Sequence, residues 1–292
     1  MEHDAALFAV GMALTSSVVN GAAQVCIKQG LAAAHSATGV FIALITTTAL
    51  LWCLAPFLTE AAEWRSDGVW VFAALGFVRP FLTMNLIFAG NHRLGPTVSH
   101  TVLSTDPLLA ALGAIALLGE PITAPVVAGT LAIVGGAMVL ASRGGRPTGW
   151  ARAALVFPVG AAVVRGSSHL VAKAGLRLLP NPFMAALVAH TTALAFAAAE
   201  HRLRGRTWPR AALRGGARWF VLVGVMNVVI VWTLFAALHA GRVSVVAPIS
   251  ASSPLFTLVL SWLFLRTEAL TPRVVAGVLL IVPGVVLIGL TR

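Results

Sequence analysis

Long apolar runs, separated by short polar stretches, follow one another along the whole chain. Each run is about 20 residues long, which is the length that an α-helix needs to cross a bilayer. A backbone in lipid must satisfy its own hydrogen bonds, so the runs predict helices. The pattern predicts an all-α polytopic membrane protein with ten transmembrane helices, at 5–27, 37–59, 69–90, 95–118, 122–142, 151–174, 182–200, 218–238, 243–265 and 270–290.

Composition supports a membrane protein and limits the kinds of partner that we expect it to bind. The chain is 59% hydrophobic and only 10% charged, yet its formal net charge is +11. A basic protein of this kind could bind nucleic acid, but most of its arginines lie in short loops between apolar runs, as in membrane proteins. We therefore expect a lipid bilayer and a small-molecule substrate as partners, and no nucleic acid.

The two halves of the chain, 1–145 and 146–292, repeat each other. The matches keep an offset of 145 to 148 residues and include Gly21, Lys28, Gly30, Pro107 and Glu120 with Gly166, Lys173, Gly175, Pro254 and Glu268, and "VVAG" at 126–129 with 274–277. Because each repeat holds five helices, the second copy is inverted in the membrane. Inverted five-helix repeats are typical of secondary transporters, whose substrate site lies near the midplane between the halves.

Several motifs in this repeat resemble a known family. "LLGEPIT" at 117–123 and "FLRTEALT" at 264–271 each end a fourth helix, and a Gly-rich fifth helix follows. Asp106-Pro107-Leu108 and Ser253-Pro254-Leu255 place a proline within the fourth helix of each half. The chain thus resembles the EamA-like branch of the drug/metabolite transporter superfamily.

The resemblance implies a ten-helix bundle that moves a small metabolite, often outward, across the cytoplasmic (inner) membrane of a bacterium. It also implies a monomer or a weak homodimer. The small multidrug-resistance branch carries a cation-binding glutamate in its first helix. The first helix here has Asn20 and Gln24 in its polar positions instead, which disfavours cationic drugs.

Three charged residues, Arg79, Asp106 and Arg165, lie well inside predicted helices. Such a residue costs roughly 2.5–3.5 kcal/mol at the helix centre, so it is retained where it is paired or lines a wet cavity. The repeat aligns Arg79 with Asn227 and Arg165 with Asn20, and residues four apart share one helix face. The predicted substrate-binding residues are Arg79, Arg165, Asn20, Gln24, Asn227, His169 and Trp232.

The balance of these charges indicates the substrate. Two arginines against one aspartate leave a surplus positive charge, and an arginine binds a carboxylate or phosphate through two parallel hydrogen bonds. An anionic or carboxylate-bearing metabolite, such as an amino acid or organic acid, is therefore expected. The alternative is structural: an arginine pairs with Asp106 or binds backbone carbonyls.

Other polar and special residues carry narrower hypotheses. Asp106, His100 and His190 are candidates for proton coupling or for buried pairing. Pro107 and Pro254 are candidates for gating or for helix kinks. Lys28 and Lys173 lie near helix ends, where a lysine usually extends to the membrane surface.

Transport by alternating access is the function that the repeat favours. The alternatives are a flippase or transporter of a lipid-linked or phosphorylated sugar, and a membrane-embedded accessory protein. An enzyme is not expected, because no cluster of acids, histidines or metal ligands marks an interface; neither catalytic residues nor a bound metal are expected. A Walker A motif is missing from the sequence, so ATP-driven pumping and a cofactor are not expected either.

The positive-inside rule predicts an orientation. Of the lysines and arginines outside the membrane, 13 lie on the face of the 201–217 loop and five on the other, namely Arg65, Lys173, Arg177, Arg242 and Arg292. The bias places the 201–217 loop in the cytoplasm and both termini outside, whereas the family resemblance implies cytoplasmic termini. A C-terminal reporter that fluoresces only in the cytoplasm should stay dark; a bright signal would refute the charge-based assignment.

Overall fold

The computed structural model describes residues 2–32, 36–121, 123–141, 152–203, 216–265 and 271–290. These ranges are helical almost throughout and contain no strand, which confirms the predicted fold class. The helices are α1 (Glu2–Leu31), α2 (Ser36–Leu58), α3 (Gly68–Gly76), α4 (Thr83–Leu103), α5 (Asp106–Leu118), α6 (Ala124–Ala141), α7 (Val156–Leu178), α8 (Pro182–Leu203), α9 (Ala217–Ala240), α10 (Val243–Ser250), α11 (Ser253–Leu260) and α12 (Pro272–Gly289). Short 3-10 helices occupy Ala61–Arg65 and Arg152–Leu155, and π-helical turns occupy Phe77–Leu82 and Ser261–Leu265.

Nine stretches within the described ranges are long and apolar enough to cross a bilayer. They are Asp4–Leu31, Thr38–Leu58, Val98–Leu118, Ala124–Ala141, Ala153–Leu178, Pro182–Leu203, Ala217–Ala240, Val243–Phe264 and Pro272–Gly289. In the third predicted segment, 69–90, the apolar helix is shorter, Gly68–Arg79. The first π turn and the first part of α4 continue it. The predicted boundary between the halves, at 145–146, lies outside the described residues.

The connection between the third and fourth segments differs from the prediction. The sequence predicts a loop at 91–94, but α4 keeps a helical backbone through these residues. The chain nevertheless reverses there, because Ser99 Oγ lies 2.9 Å from the position that a Cβ on Gly90 would take. Nine residues of straight helix would separate these positions by about 13 Å. The hairpin is therefore a tight turn inside α4.

Two predicted helices are broken just before their prolines. Ser104 and Thr105 form a turn ahead of α5, which begins at Asp106-Pro107, and residues 251–252 form the same turn ahead of α11. Proline lacks an amide hydrogen and suits the first turn of a helix, where that hydrogen has no partner. The expected kinks thus occur at both prolines, as complete breaks between two helices.

Contacts between the halves occur in pairs, as a two-fold relation requires. A Cβ on Gly21 of α1 would lie 2.6 Å from the Cβ of Phe256. A Cβ on Gly166 of α7 would lie 3.0 Å from the Cβ of Leu109. The repeat aligns Gly21 with Gly166 and Phe256 with Leu109, so the two contacts are copies of each other.

Helices α6 and α12 contact each other across the same two-fold relation. A Cβ on Gly129 would lie 2.7 Å from the carbonyl oxygen of Gly284, and one on Gly284 would lie 2.8 Å from that of Gly129. A Cβ on Gly136 would lie 2.7 Å from the carbonyl oxygen of Gly277. The repeat exchanges Gly129 with Gly277 and Gly136 with Gly284, so this interface maps onto itself. Only glycine permits the two backbones to approach this closely.

We predict that Gly136→Ala lowers the thermal stability of the purified protein, because the new methyl group would meet Ile281 and the Gly277 carbonyl. Its neighbour is a matched control, since a Cβ on Gly135 meets nothing within 4 Å. Gly135→Ala should leave the unfolding temperature unchanged or raise it, because alanine favours helix by about 1 kcal/mol. Equal effects of the two substitutions would contradict the interface described here.

Candidate functional site

The ends of the helices lie on two faces of the bundle, because successive spans alternate in direction. We name them by one residue each. The Leu31 face holds the ends of α1 and α6, and the Gly241 face holds the α9–α10 turn and the α5–α6 connection. Hydrogen bonds join connections on the Gly241 face: Asn181 Nδ2 donates to Leu58 O at 2.9 Å, and Ser66 Oγ donates to Leu178 O at 2.7 Å.

A cavity of about 460 Å³ lies between the two halves. Both repeats contribute to its wall, through α1, α4, α5, α6, α7, α9, α10, α11 and both π turns. Its polar lining residues are Ser16, Asn20, Gln24, Arg79, His100, Ser104, Asp106, Arg165, His169, Ser250, Ser253, Thr257 and Ser261. The structure therefore brings together most of the predicted polar residues in one place.

The cavity extends from the centre of the bundle toward the Leu31 face. Its lining on α6 lies entirely in the second half of that helix and reaches the last residue, Ala141. On α1 it reaches Gln24, and beyond α11 it reaches Ser261. The Gly241 face is closed below it.

An ion pair spans the cavity wall between α5 and α7. Arg165 Nε lies 2.8 Å from Asp106 Oδ2, and the side chain of Asp106 is only 6% exposed, against 36% for Arg165. A carboxylate this deeply buried needs a partner, because an isolated ion loses its hydration. The structural alternative thus holds for Arg165: it pairs with Asp106. Arg165 is nevertheless part of the cavity wall.

Arg79 is the second guanidinium in the cavity wall. It lies in the π turn Phe77–Leu82, whose wider backbone spacing is common at functional sites. Pro80 follows it and offers no amide hydrogen, which favours such a widened turn. Within the described residues, neither a carboxylate nor a carbonyl forms a bond with the Arg79 guanidinium.

His169 lies one turn after Arg165 on α7 and is 6% exposed. Its Nδ1 atom has no hydrogen-bond partner among the described residues, and the same is true of Ser250 Oγ. Both residues line the cavity. Buried polar atoms are nearly always paired, so these two indicate a place where water or a bound solute completes the hydrogen bonding.

Asn227 and His190 do not line the cavity, which corrects the predicted role of Asn227. Asn227 Nδ2 lies 3.3 Å from Thr47 Oγ1 and 3.2 Å from His190 Nε2, and His190 Nδ1 lies 3.0 Å from the carbonyl oxygen of Ala186. A carbonyl only accepts, so Nδ1 carries the proton and Nε2 accepts from Asn227. His190 is thus a partly buried residue that pairs with Asn227 between α8 and α9.

Trp232 is also outside the cavity. The centroids of its ring and the Phe183 ring are 6.0 Å apart in an edge-to-face arrangement. The residue is 42% exposed, on the outside of α9. Pro107 is buried in the α5 wall without reaching the cavity, whereas Pro254 lines it. His100 lines the cavity near Asp106. The sequence could not show which of these residues line the cavity, because all of them lie within predicted helices.

Two residues that the sequence left without a site role close the Gly241 face. Lys173 does not extend to the membrane surface as expected: its Nζ donates to the carbonyls of Leu238, His239 and Gly241, at 2.7, 3.1 and 2.8 Å. It thereby binds the C-terminus of α9, where helix carbonyls lack partners.

Glu120 completes the same closure from the other side. Its carboxylate accepts hydrogen bonds from the amides of Val243 and Ser244, at 2.7 and 2.9 Å, and from Ser244 Oγ at 2.5 Å. It thus caps the N-terminus of α10. Glu120 is the acidic residue of the motif "LLGEPIT", but the motif alone does not indicate that it contacts Val243 and Ser244.

The profile of the EamA-like transporter family matches residues 7–142 and 152–290, one copy in each half. The chain belongs to the EamA-like transporter family. It is therefore a multi-pass membrane protein. The resemblance drawn from the sequence motifs is confirmed.

Two further comparisons describe its relatives. The chain is 32% identical over 72 residues to an uncharacterized protein, MJ1333.1, of Methanocaldococcus jannaschii, which is 25% of this chain and about half (52%) of that protein. A solved crystal structure of a protein superposes with a TM-score of 0.79 at 18% identity, covering 96% of this chain and 95% of the other. This second likeness shows the fold alone.

We predict that Glu120→Ala destabilises the protein by about 1–3 kcal/mol, because the amides capped by the carboxylate lose their acceptor. Thermal unfolding of the purified protein measures this. Asp67→Ala is the control, since Asp67 is exposed and precedes α3 without a side-chain capping bond. A loss no larger than that of the control would mean that the Glu120 contacts do not hold the closed face.

Proposed function

We propose that the protein is a secondary transporter that exports a small carboxylate-bearing metabolite, such as an amino acid or organic acid, across the bacterial cytoplasmic membrane. The observation that carries this proposal is the charge of the cavity. Arg165 is paired with Asp106, while Arg79 has no acidic partner among the described residues. The cavity wall thus retains one positive charge that an anion can neutralise.

The apolar surroundings of Arg79 strengthen its attraction for an anion. A guanidinium between apolar helices is poorly hydrated, so its attraction for a carboxylate is stronger than in bulk water. The unpaired Nδ1 of His169 and the hydroxyl of Ser250 supply hydrogen-bonding groups nearby. Together these groups suit a ligand that bears one carboxylate and further polar atoms.

The volume of the cavity limits the size of the substrate. About 460 Å³ is in the lower part of the range that small-molecule sites occupy. The lining mixes polar residues with apolar ones such as Leu103, Val134 and Leu234. A small metabolite fits these dimensions better than a lipid-linked oligosaccharide.

The inverted repeat supports alternating access. The cavity reaches the Leu31 face, while Lys173 and Glu120 hold the Gly241 face closed. In the sequence, the repeat aligns Lys28 with Lys173 and Glu268 with Glu120, and Glu268 lies outside the described residues. We infer that the two halves exchange these roles during transport, so that the cavity opens to each face in turn.

We predict that Arg79→Gln reduces the affinity for an anionic substrate roughly 10- to 100-fold, because a hydrogen bond to a charged group contributes about 1.5–3 kcal/mol. Labelled succinate, L-glutamate, L-leucine and putrescine would be offered to proteoliposomes. Arg273→Gln is the matched control, since Arg273 is exposed at the start of α12.

The wild-type protein should favour the anions, and Arg79→Gln should lose that preference while Arg273→Gln keeps it. Selective transport of putrescine, or an anion preference that survives Arg79→Gln, would contradict the proposal. Flotation and gel filtration of each variant would confirm that it is folded and inserted.

A further inference from the structure

The Asp106–Arg165 pair has an unusual position for a structural ion pair. Asp106 is the carboxylate among the described residues of the cavity wall, and it lies at the first turn of α5, directly after the break at Ser104–Thr105. Arg165 binds it through Nε, at 2.8 Å. The pair is therefore beside the space where the substrate would bind, and at a point where the helix is already interrupted.

We propose that Asp106 carries a proton that moves together with the anionic substrate, so that the transporter is a proton–anion symporter. Export of the anion is then driven by the anion's own outward gradient, and each exported anion carries a proton out with it. This inference rests on the proposed anionic substrate. Proton binding and anion binding are coupled because the Asp106 carboxylate and the substrate carboxylate compete for the guanidinium of Arg165.

The protonation state of Asp106 decides whether Arg165 can bind an anion. When Asp106 is ionised, it occupies Arg165 and repels an incoming carboxylate. When Asp106 is protonated, the carboxylic acid no longer holds the guanidinium by charge, and the cavity presents two cations, Arg79 and Arg165, to the anion. Protonation and anion binding therefore favour each other, and by linkage the effect is reciprocal.

The groups around Asp106 favour it as the proton carrier. Arg165 and His169 on α7, Arg79 in the first π turn and His100 on α4 line the same cavity as Asp106, while the cavity-lining residues of α6 and α10 are uncharged. A proton on His169 or His100 would create a third cation beside two guanidiniums. A proton on Asp106 instead removes an anion that the substrate replaces, so the total charge of the loaded cavity stays nearly constant.

The proton would be taken from water in the part of the cavity that opens to the Leu31 face. It would be released with the anion when the cavity opens to the Gly241 face, and Asp106 would then pair with Arg165 again. The empty carrier therefore returns with the charges of Asp106 and Arg165 neutralised by each other, while Arg79 keeps its positive charge. For a monoanion, one proton and one negative charge cross together, so the step moves no net charge.

The test uses the full-length protein in liposomes and four anions: succinate, L-malate, L-glutamate and benzenesulfonate. Counterflow of labelled anion, with equal pH on both sides, detects transport without any coupling. A pH difference of one unit is then applied in the absence of internal anion. A one-to-one symporter should accumulate a transported monoanion, L-glutamate or benzenesulfonate, about tenfold on the alkaline side, and a dianion to the same ratio when the membrane potential is held at zero.

The variants identify the carrier of the proton. Asp106→Asn should show counterflow that is independent of pH, whatever its rate, and should accumulate the anion to no more than its external concentration. If Asp106→Asn does not fold, the double variant Asp106→Asn/Arg165→Gln removes both charges and should show the same loss through Arg79 alone. His169→Gln and His100→Gln should keep the accumulation ratio, each measured against its own counterflow rate.

Each outcome decides between the proposals. Counterflow of none of the four anions would overturn both the anionic substrate and the coupling. Counterflow by the wild-type protein without pH-driven accumulation would overturn the coupling and leave the proposed function standing. Accumulation by Asp106→Asn, or its loss in His169→Gln or His100→Gln, would show that another group carries the proton and would overturn the role of Asp106.

Discussion

The cost of placing charge and unpaired polar groups in hydrocarbon decides the structure of this protein. Arg79, Arg165 and Asp106 lie well inside the membrane-spanning segments, and lipid offers none of them a partner. One arginine satisfies the aspartate, at 2.8 Å. The other arginine faces a space between the halves that is large enough to hold water or a solute. The bundle therefore has to enclose a cavity at this place.

The same constraint acts on the backbone where a helix stops. At the breaks at Ser104–Thr105 and at 251–252, the amides bond to carbonyls of the preceding helix at mixed three- and four-residue spacings, so the regular α-helical pattern is interrupted in the middle of the bundle. Such irregular backbone is tolerated in a membrane where it borders a cavity, and both breaks do so. At the α9–α10 turn, Lys173 donates hydrogen bonds to carbonyls at the end of α9, and Glu120 accepts them from amides at the start of α10. Charged side chains near the bundle ends thus serve as hydrogen-bonding groups for helix termini.

The sequence predicted the helices, the repeat and the arginines of the cavity wall, because each depends on local hydropathy or on internal matching. Asn20 and Gln24 line the cavity together, and so do Arg165 and His169, because residues four apart lie on one face of a helix. The sequence could not specify which helix that face would meet. Arg165 could have paired with Asp106 or with a carbonyl, and Asn227 meets His190 of α8 rather than the cavity. Those partners depend on tertiary packing, which periodicity does not contain.

The glycine contact between α6 and α12 differs from the other contacts between the halves in its symmetry. The contact of Gly21 and its copy at Gly166 are separate places, so one can tighten while the other loosens. The α6–α12 interface is its own copy, because Gly129 and Gly284 exchange with Gly277 and Gly136. When the halves exchange conformations, this interface returns to itself. Substitutions there should therefore change the stability of both conformations equally, whereas substitutions at Gly21 or Gly166 should change which conformation is favoured.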